Sequence, residues 1–398
     1  MKLAIITALP TSNVPLGEYG YHLAKSFAKK DEIEELVLIT NKARDPKILD
    51  FDTQGCRITV KECWDYNQAM NVFCIYKSIL EEKPDAVLFN AQINMFGNKK
   101  IAAGLGLLLP MIFKLKGLVS IVLLHHLEHN LKLDSAGLFS RNFKSKLNNF
   151  VGTKLMKSLL QANLAVVTLK QNVVKLNELY GAKNVLHIPH GSFENTNVNF
   201  EEKKSVRKKI LTFGKFGNHK NIEVLIEAVE LIKTRMQEDI DLVVAGTDSV
   251  NNEGYLAKVQ KSYNNIPNLK FTGYILENEI QGLFSEADLI VLPYLKTLGS
   301  SGVLHLSGSH GKAVVLPDLE GFSTLVREQG YRGQFFKPNS VLSLAEAIED
   351  VIYNEDYKLK IAKANYRAAC SSPISSVTDS YIYEFKNLIQ QKYHQVVA

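Results

Sequence analysis

Residues 208–232 read KKILTFGKFGNHKNIEVLIEAVELI, and they predict a strand, a glycine loop and a helix in succession. The β-rich apolar run 209–214 ends at a glycine, and apolar residues then recur at helical spacing from Asn221 onward. A buried strand followed by a helix is half of a βαβ unit, the building block of parallel sheets. This stretch therefore predicts an α/β domain with a parallel sheet.

Strand-like apolar runs alternate with helical patterns along most of the 398 residues. A domain usually holds about 100–200 residues, so this length favours two domains. The alternation lapses in the polar stretch 193–204, which predicts a linker. We therefore predict an α/β chain of two Rossmann-like, doubly wound domains at 1–195 and 205–375, followed by a helix at 376–398. The predicted strands are 3–9, 36–40, 58–61, 86–90, 119–125, 164–169, 185–189, 209–214, 241–246, 269–274, 289–294 and 313–318.

Composition and charge are those of an ordinary globular protein: 46% of the residues are hydrophobic, 22% are charged, and the net charge is +6. This charge is compatible with anionic partners without requiring them, and we predict no nucleic-acid partner. The cysteines lack metal-ligand spacing and are interpreted as reduced thiols. No signal peptide is indicated, and the apolar run 101–113 is too short for a bilayer span of roughly 20 residues. We therefore expect a cytoplasmic protein without a metal or a cofactor.

Ligands of doubly wound sheets bind beyond the carboxyl ends of the strands, so residues there are candidate site residues. Gly17 precedes a helical pattern, where it would let a phosphate approach the helix N-terminus; an ordinary turn explains it equally well. No GxGxxG follows this strand, which argues against dinucleotide binding. The run 119–125 ends in His125, with His126 and His129 beyond it. Such histidines can form hydrogen bonds with sugar hydroxyls or have a structural role. A zinc site is a further alternative, but the sequence pattern does not indicate its other ligands.

Two lysines mark the first strand end of the second domain. Lys215 and Lys220 are predicted to lie on the loop after the strand, beside Gly214. Two cations near a helix N-terminus suit a diphosphate, because they supply charge where a leaving group gains it. Two solvated lysines are the alternative interpretation.

A glycine-serine run at 299–302 precedes another helical pattern. Its backbone N–H groups predict a second phosphate site at a helix start. Ser300 or Ser301 can also be the N-cap of that helix, and the two interpretations are compatible.

In this order along almost the whole chain, the motifs resemble those of the family-4 retaining glycosyltransferases of the GT-B fold. The motifs are the glycine loop at Gly17, the strand that ends at His125, ANLAVVTLKQNVVKLNELYGAKNVLHIPHG, the Gly-Lys…Lys loop, VVAG, LKFTGY, ADLIVLPY and GKAVVLPD. The resemblance implies two Rossmann-like domains facing across a cleft, with the C-terminal helix returning to the first domain.

The resemblance also implies roles for individual residues. Lys215 and Lys220 would stabilise the departing diphosphate, and His125 would touch the transferred sugar. The donor-binding positions that it implies are Gly17, Gly214, Tyr274, Ile275, Ser300, Ser301, Gly302 and Val303. The acceptor-side candidates are His126 and His129.

The chain departs from the family at two positions. The family usually has two glutamates around the last loop, one for the donor sugar and one for the ribose, and this chain has Leu298 and Leu306 there. It is similar to a subset in which a Ser-Gly-Val stretch replaces the usual loop. Ribose recognition must then come from elsewhere, and His305 and Ser309 are candidates.

The implied activity is that of a metal-independent hexosyltransferase. It would move a sugar from a nucleotide-diphosphate sugar to a glycan or lipid-linked acceptor of a cell-surface polysaccharide, with retention of configuration. A phosphorylase or epimerase on the same fold and a non-catalytic partner subunit stay open as alternatives. An apolar stretch with basic ends at 99–116 and a basic segment at 141–157 suit peripheral contact with the inner face of the plasma membrane. A core helix and a basic surface helix explain these segments equally well.

Overall fold

The computed structural model describes residues 1–10, 17–42, 51, 55–92, 95–125, 143–193, 198, 200, 207–249, 252–297 and 301–397. The chain divides into two compact units, each built around one parallel sheet. The first unit comprises Met1–His190 and Ile374–Ala398, and the second comprises Gly191–Pro373. The predicted linker at 193–204 falls mostly outside the described residues.

The first unit contains a seven-stranded sheet of order β3-β2-β1-β4-β5-β6-β7. Its elements are β1 Lys2–Ile6, α1 Gly17–Ala28, β2 Glu35–Asn41, β3 Arg57–Trp64, α2 Asn71–Glu82, β4 Ala86–Ala91, α3 Lys100–Gly106, α4 Leu109–Leu115, β5 Val119–Leu124, α5 Phe143–Leu159, β6 Leu164–Val167, α6 Lys170–Tyr180 and β7 Val185–His187. Strands β4 and β5 are buried at every position, as expected for parallel strands covered on both faces. The strand order reverses between β1 and β4, which opens a crevice at their carboxyl ends.

The second unit contains a six-stranded sheet of order β10-β9-β8-β11-β12-β13. Its elements are β8 Lys208–Phe216, a 3-10 turn at Asn218–Lys220, α7 Ile222–Met236, β9 Ile240–Asp248, α8 Tyr255–Ser262, β10 Leu269–Phe271, α9 Glu277–Glu286, β11 Leu289–Val291, α10 Gly302–Ser309, β12 Val314–Pro317, α11 Phe322–Glu328, β13 Gln334–Phe336, α12 Val341–Ile352 and α13 Glu355–Cys370. All of its strand pairs are parallel. The order reverses between β8 and β11, so this unit has its own crevice there.

The last helix, α14 at Ile374–Val397, belongs to the first unit. Tyr381 is 1% exposed, and its ring centre lies 6.1 Å from that of Phe27 on α1. The hydroxyls of Ser26 and Thr378 are hydrogen-bonded at 2.9 Å. The helix therefore contributes core side chains to a unit whose other residues are distant in sequence.

Every predicted strand is present, and two expectations need correction. Strand β13 was not predicted, because this three-residue edge strand, paired with β12, is too short to show a period. Lys215 was predicted to lie on a loop, whereas Lys215 lies within β8. The strand continues to Phe216 because its pairing with β9 continues, with Lys215 opposite Thr247.

The apolar stretch near residue 100 forms α3 and α4, and much of it is core. Leu109 and Phe113 are fully buried, whereas Leu115 at the end of α4 is 77% exposed. None of the described helices is long and apolar enough to cross a membrane. In the described ranges, no cluster of three His, Cys, Asp or Glu side chains is placed to hold a metal.

Candidate functional site

The side chain of Lys220 is buried at the switch point of the second sheet. The 3-10 turn carries Lys220 to a position where it is only 7% exposed. Its Nζ donates to the backbone oxygen of Phe213 at 3.3 Å. It also lies 5.0 Å from the ring centres of Phe216 and Tyr294, within the range of a cation–π contact.

This enclosure disfavours the protonated form of the Lys220 side chain. Burial lowers the pKa of Lys220 from its ordinary value to about 7, because an apolar enclosure disfavours the ammonium ion. Among the described residues, no carboxylate forms an ion pair with Lys220. An anionic ligand would restore the charge, so the position suits a phosphate group.

Gly214 allows this position of the ammonium group. Its φ is +123°, and a Cβ atom at this residue would lie 2.6 Å from Lys220 Nζ and 3.5 Å from Val303 Cγ2. Any side chain here would displace the ammonium group. The structure thus brings together three predicted site residues: Gly214, Lys220 and Val303.

The N-terminus of α10 lies in the same cluster. The helix begins at Gly302, and the first N–H groups of a helix have no acceptor within it. Ser301 is the N-cap residue of α10, one of the two positions predicted for it, but its side chain makes no capping hydrogen bond. It bonds Tyr294, and this bond partly opposes the effect of burial, which raises the pKa of Tyr294 to about 12. Ser300 lies outside the described residues.

The other predicted donor-side residues lie along the same edge of the sheet. Lys215 is half-buried and directly follows Gly214 in β8. Tyr274, which is 43% exposed, and the half-buried Ile275 follow β10, two strands away. Here Gly273 bridges to Gly246 at the end of β9. The contacts described above join neither Tyr274 nor Ile275 to Lys220.

The two candidates for ribose recognition have internal partners. His305 is 6% exposed, and its Nδ1 is hydrogen-bonded to the Tyr331 hydroxyl at 2.9 Å. Ser309 donates to the backbone oxygen of His305 at 3.0 Å. These bonds argue against the ribose hypothesis for both residues. Leu306, at the position of the second expected glutamate, is 8% exposed.

Gly17 is the first residue of α1 in the first unit. A Cβ atom here would lie 2.7 Å from Leu9 O, closer than real Cβ atoms approach, and 3.1 Å from Pro10 N. The glycine therefore lets the start of α1 approach the backbone that follows β1. This supports the interpretation of Gly17 as a residue of close backbone approach, whether or not a phosphate binds there.

His125 directly follows β5 and is 3% exposed. Its Nε2 lies 2.6 Å from Asn90 Oδ1 at the end of β4. Its ring packs edge-on against Tyr19 at 4.8 Å, and the ring of His190 lies 5.9 Å away. His126 and His129 lie outside the described residues.

Four residues that lie around Lys220 or around His125 were not predicted from the sequence. They are Tyr19, Asn90, His190 and Tyr294. Asn90 and Tyr294 could have been found from the sequence, because each is the polar last residue of a predicted apolar strand. Tyr19 and His190 have no such signal, since their role depends on which strands are neighbours.

Comparison with solved structures identifies the fold. Sucrose-phosphate synthase from Thermosynechococcus elongatus superimposes with a TM-score of 0.71 and 15% identity, covering 98% of this chain and 100% of that one. Anabaena HepE in complex with UDP and glucose gives 0.68 and 16%, covering 97% and 99%. WaaG, a glycosyltransferase involved in lipopolysaccharide biosynthesis, gives 0.64 and 12%, covering 95% and 98%. The fold is GT-B. The prediction of two Rossmann-like domains is thereby confirmed.

A family model adds to this likeness in one of the two GT-B domains. Residues 193–368 match the model of glycosyl transferases group 1. That stretch contains the cluster around Lys220, whereas His125 lies outside it. No curated protein matches the sequence significantly.

Proposed function

We propose that this GT-B chain is a family-4, retaining and metal-independent hexosyltransferase that lacks the family's two usual glutamates. It would transfer a sugar from a nucleotide-diphosphate sugar to a glycan or lipid-linked acceptor of a cell-surface polysaccharide. The observation that carries the proposal is the buried ammonium group of Lys220. It lies beside Gly214 and the start of α10, inside the stretch that matches glycosyl transferases group 1.

The proposed chemistry of the second unit is stabilisation of a departing diphosphate. Lys220 and Lys215 supply positive charge, and the N–H groups of Gly302 and Val303 supply preorganised donors. Such groups lower the barrier because they are already oriented toward the charge that develops. Tyr274 and Ile275 are proposed to adjoin the nucleotide base.

The proposed roles in the first unit follow from the family resemblance. Gly17 would contact the donor phosphates, and His125 would contact the transferred sugar. His126 and His129 remain proposals for the acceptor side. Solved GT-B structures of Anabaena HepE contain UDP, UDP with glucose, or UDP-glucose, so UDP is the first nucleotide to test.

Thermal stabilisation by nucleoside diphosphates tests the donor site. We expect one of UDP, GDP and ADP to raise the melting temperature, because a ligand that binds only the folded state stabilises it. Lys220→Met should abolish this shift, since it removes the charge and keeps the aliphatic stem between Phe216 and Tyr294. Lys270→Met, which removes an exposed lysine of the same unit, should keep it. An unchanged shift in Lys220→Met would overturn the proposed site.

The buried Leu306 favours one alternative, a non-catalytic partner subunit. Leu306 occupies a position where the family usually has a carboxylate. A partner subunit would therefore be expected to bind a nucleotide sugar without transferring the sugar. Release of free nucleoside diphosphate from UDP-glucose, or from another nucleotide sugar that binds, distinguishes the two functions. Binding without any release or transfer would favour the partner subunit.

Exposed basic and apolar side chains on α4 and α5 are the basis for a proposed membrane contact. Leu115 is 77% exposed between Lys114 and Lys116, and Lys154 and Lys157 on α5 are exposed. Basic and apolar side chains together suit an anionic lipid surface, so we propose a cytoplasmic protein at the inner face of the plasma membrane. Flotation with anionic liposomes at low and high salt tests this, and absence of binding at both would refute it.

A further inference from the structure

Three polar side chains form a buried hydrogen-bonded chain across the switch point of the first sheet. Thr7, Asn90 and His125 follow or end β1, β4 and β5 and are 0%, 1% and 3% exposed. The Thr7 hydroxyl donates to Ala8 O at 3.0 Å, and Asn90 Nδ2 donates to Thr7 Oγ1 at 2.9 Å. His125 Nε2 lies 2.6 Å from Asn90 Oδ1.

The backbone carbonyl of Ala8, at one end, fixes the donor-to-acceptor direction of these hydrogen bonds. A carbonyl oxygen only accepts, and the Thr7 hydroxyl has a single proton, which it gives to Ala8. Toward Asn90, Thr7 can therefore only accept. Asn90 must turn its NH₂ group to Thr7, which leaves its oxygen facing His125. An oxygen acceptor at 2.6 Å requires a proton on His125 Nε2.

We infer that the chain from Ala8 O through Thr7 and Asn90 fixes His125 as the Nε2-protonated tautomer, which makes Asn90 a positioning residue. In this tautomer a neutral imidazole carries its lone pair on Nδ1, which can therefore only accept a hydrogen bond. The tautomer is independent of the proposed function, whereas its effect on sugar transfer rests on that function.

Packing holds the members of the chain in place. The Tyr19 hydroxyl donates to His190 O at 3.0 Å, which anchors the aromatic ring that packs edge-on against His125. Burial raises the pKa of Tyr19, so this ring stays a neutral phenol. A Cβ atom at Gly20 would overlap Thr7 Oγ1, so a glycine is needed where α1 passes the hydroxyl. The titratable described side chains packed on His125 in these contacts are Tyr19 and His190.

Nitrogen NMR of the full-length protein labelled with ¹⁵N-histidine tests the tautomer directly. The His125 signals are assigned by their loss in His125→Gln. In neutral His125 we expect Nε2 in the protonated range and Nδ1 in the unprotonated range. The opposite pattern, or rapid averaging of the two tautomers, would overturn the inference without any variant or activity assay.

Two pairs of variants test the role of the chain. Thr7→Ser keeps the hydroxyl and should keep the tautomer, whereas Thr7→Val removes the group that orients Asn90 and should lose it. Asn90→Asp keeps an oxygen acceptor and adds a negative charge, which should move the His125 titration to higher pH by about one unit or more. Asn41→Asp is the matched control: Asn41 is buried at the end of β2 and bonds Leu9 N and Lys42 O. Asn41→Asp should move the His125 titration less than Asn90→Asp does.

Activity separates this inference from the proposed function. In Asn90→Asp, the pH profile of sugar transfer should move together with the His125 titration. A profile that stays in place while the titration moves would refute the positioning role. The predicted tautomer in a protein that transfers no sugar from any nucleotide sugar would refute the proposed function instead.

Discussion

Lys220 makes the stability of the unbound protein depend on pH. Its pKa is about 7 in the folded protein and about 10.4 in an unfolded chain. Between these values the unfolded state holds the proton and the folded state does not, so the free energy of unfolding should rise with pH through this window. Below pH 7 both states are protonated, and this contribution no longer changes.

Comparison with Lys220→Met isolates that contribution, because other groups titrate equally in both proteins. We expect the melting temperature of the wild type minus that of Lys220→Met to increase between pH 7 and pH 10. The measurement is a calorimetric melting series without nucleotide. A difference that stays constant over this range would show that the folded protein keeps Lys220 charged by another route.

At the scale of elements, the close contact of β8 and β9 shapes the candidate donor site. Gly246 has a φ of +135°, and a Cβ atom there would overlap the backbone oxygen of Gly214. Gly246→Ala should therefore destabilise the second unit by about 2 kcal/mol or more through backbone strain and displacement of β8. It should also reduce the nucleotide-induced melting shift, since Gly214 lies beside Lys220 Nζ.

Gly282→Ala in α9 is the matched control. Gly282 has open space around its Cα and no positive φ. Alanine is the better helix former, so this variant should gain up to about 1 kcal/mol. Urea unfolding of both variants measures the contrast, and equal effects would show that strain at Gly246 is absent.

At the scale of the whole molecule, the first unit is built from two separate parts of the chain. It ends at His190 and resumes at Ile374 with α14, whose Tyr381 is buried and whose Tyr383 is 63% exposed. Tyr381→Ala should cost the first unit about 3 kcal/mol or more, as expected for a large core aromatic. Tyr383→Ala should change it by less than about 0.5 kcal/mol.

The single tryptophan reports on this unit separately. Trp64 is buried in the first unit, so its fluorescence during urea unfolding follows that unit. We expect the fluorescence midpoint to fall in Tyr381→Ala and to stay near the wild-type value in Tyr383→Ala. Equal midpoints in the two variants would show that α14 adds little to the stability of the unit.

The sequence by itself determined the parallel α/β architecture, because most of the buried strands are local apolar runs and most of the helices show a local helical period. It also determined the candidate residues Gly214 and Lys220, since a glycine and a lysine after an apolar run are visible locally. The linear pattern did not show that Lys215 belongs to β8 or that β13 exists. Both depend on pairing with a neighbouring strand.

Only the tertiary structure decided which side chains meet. Thr7, Asn90 and His125 are far apart in sequence, and they form one hydrogen-bonded chain because β1, β4 and β5 are neighbours in the sheet. The lowered pKa of Lys220 likewise comes from an enclosure that includes Tyr294. The physical reason is the same in both cases. Desolvation and hydrogen-bond direction depend on what surrounds a group in space, and strand order sets those surroundings.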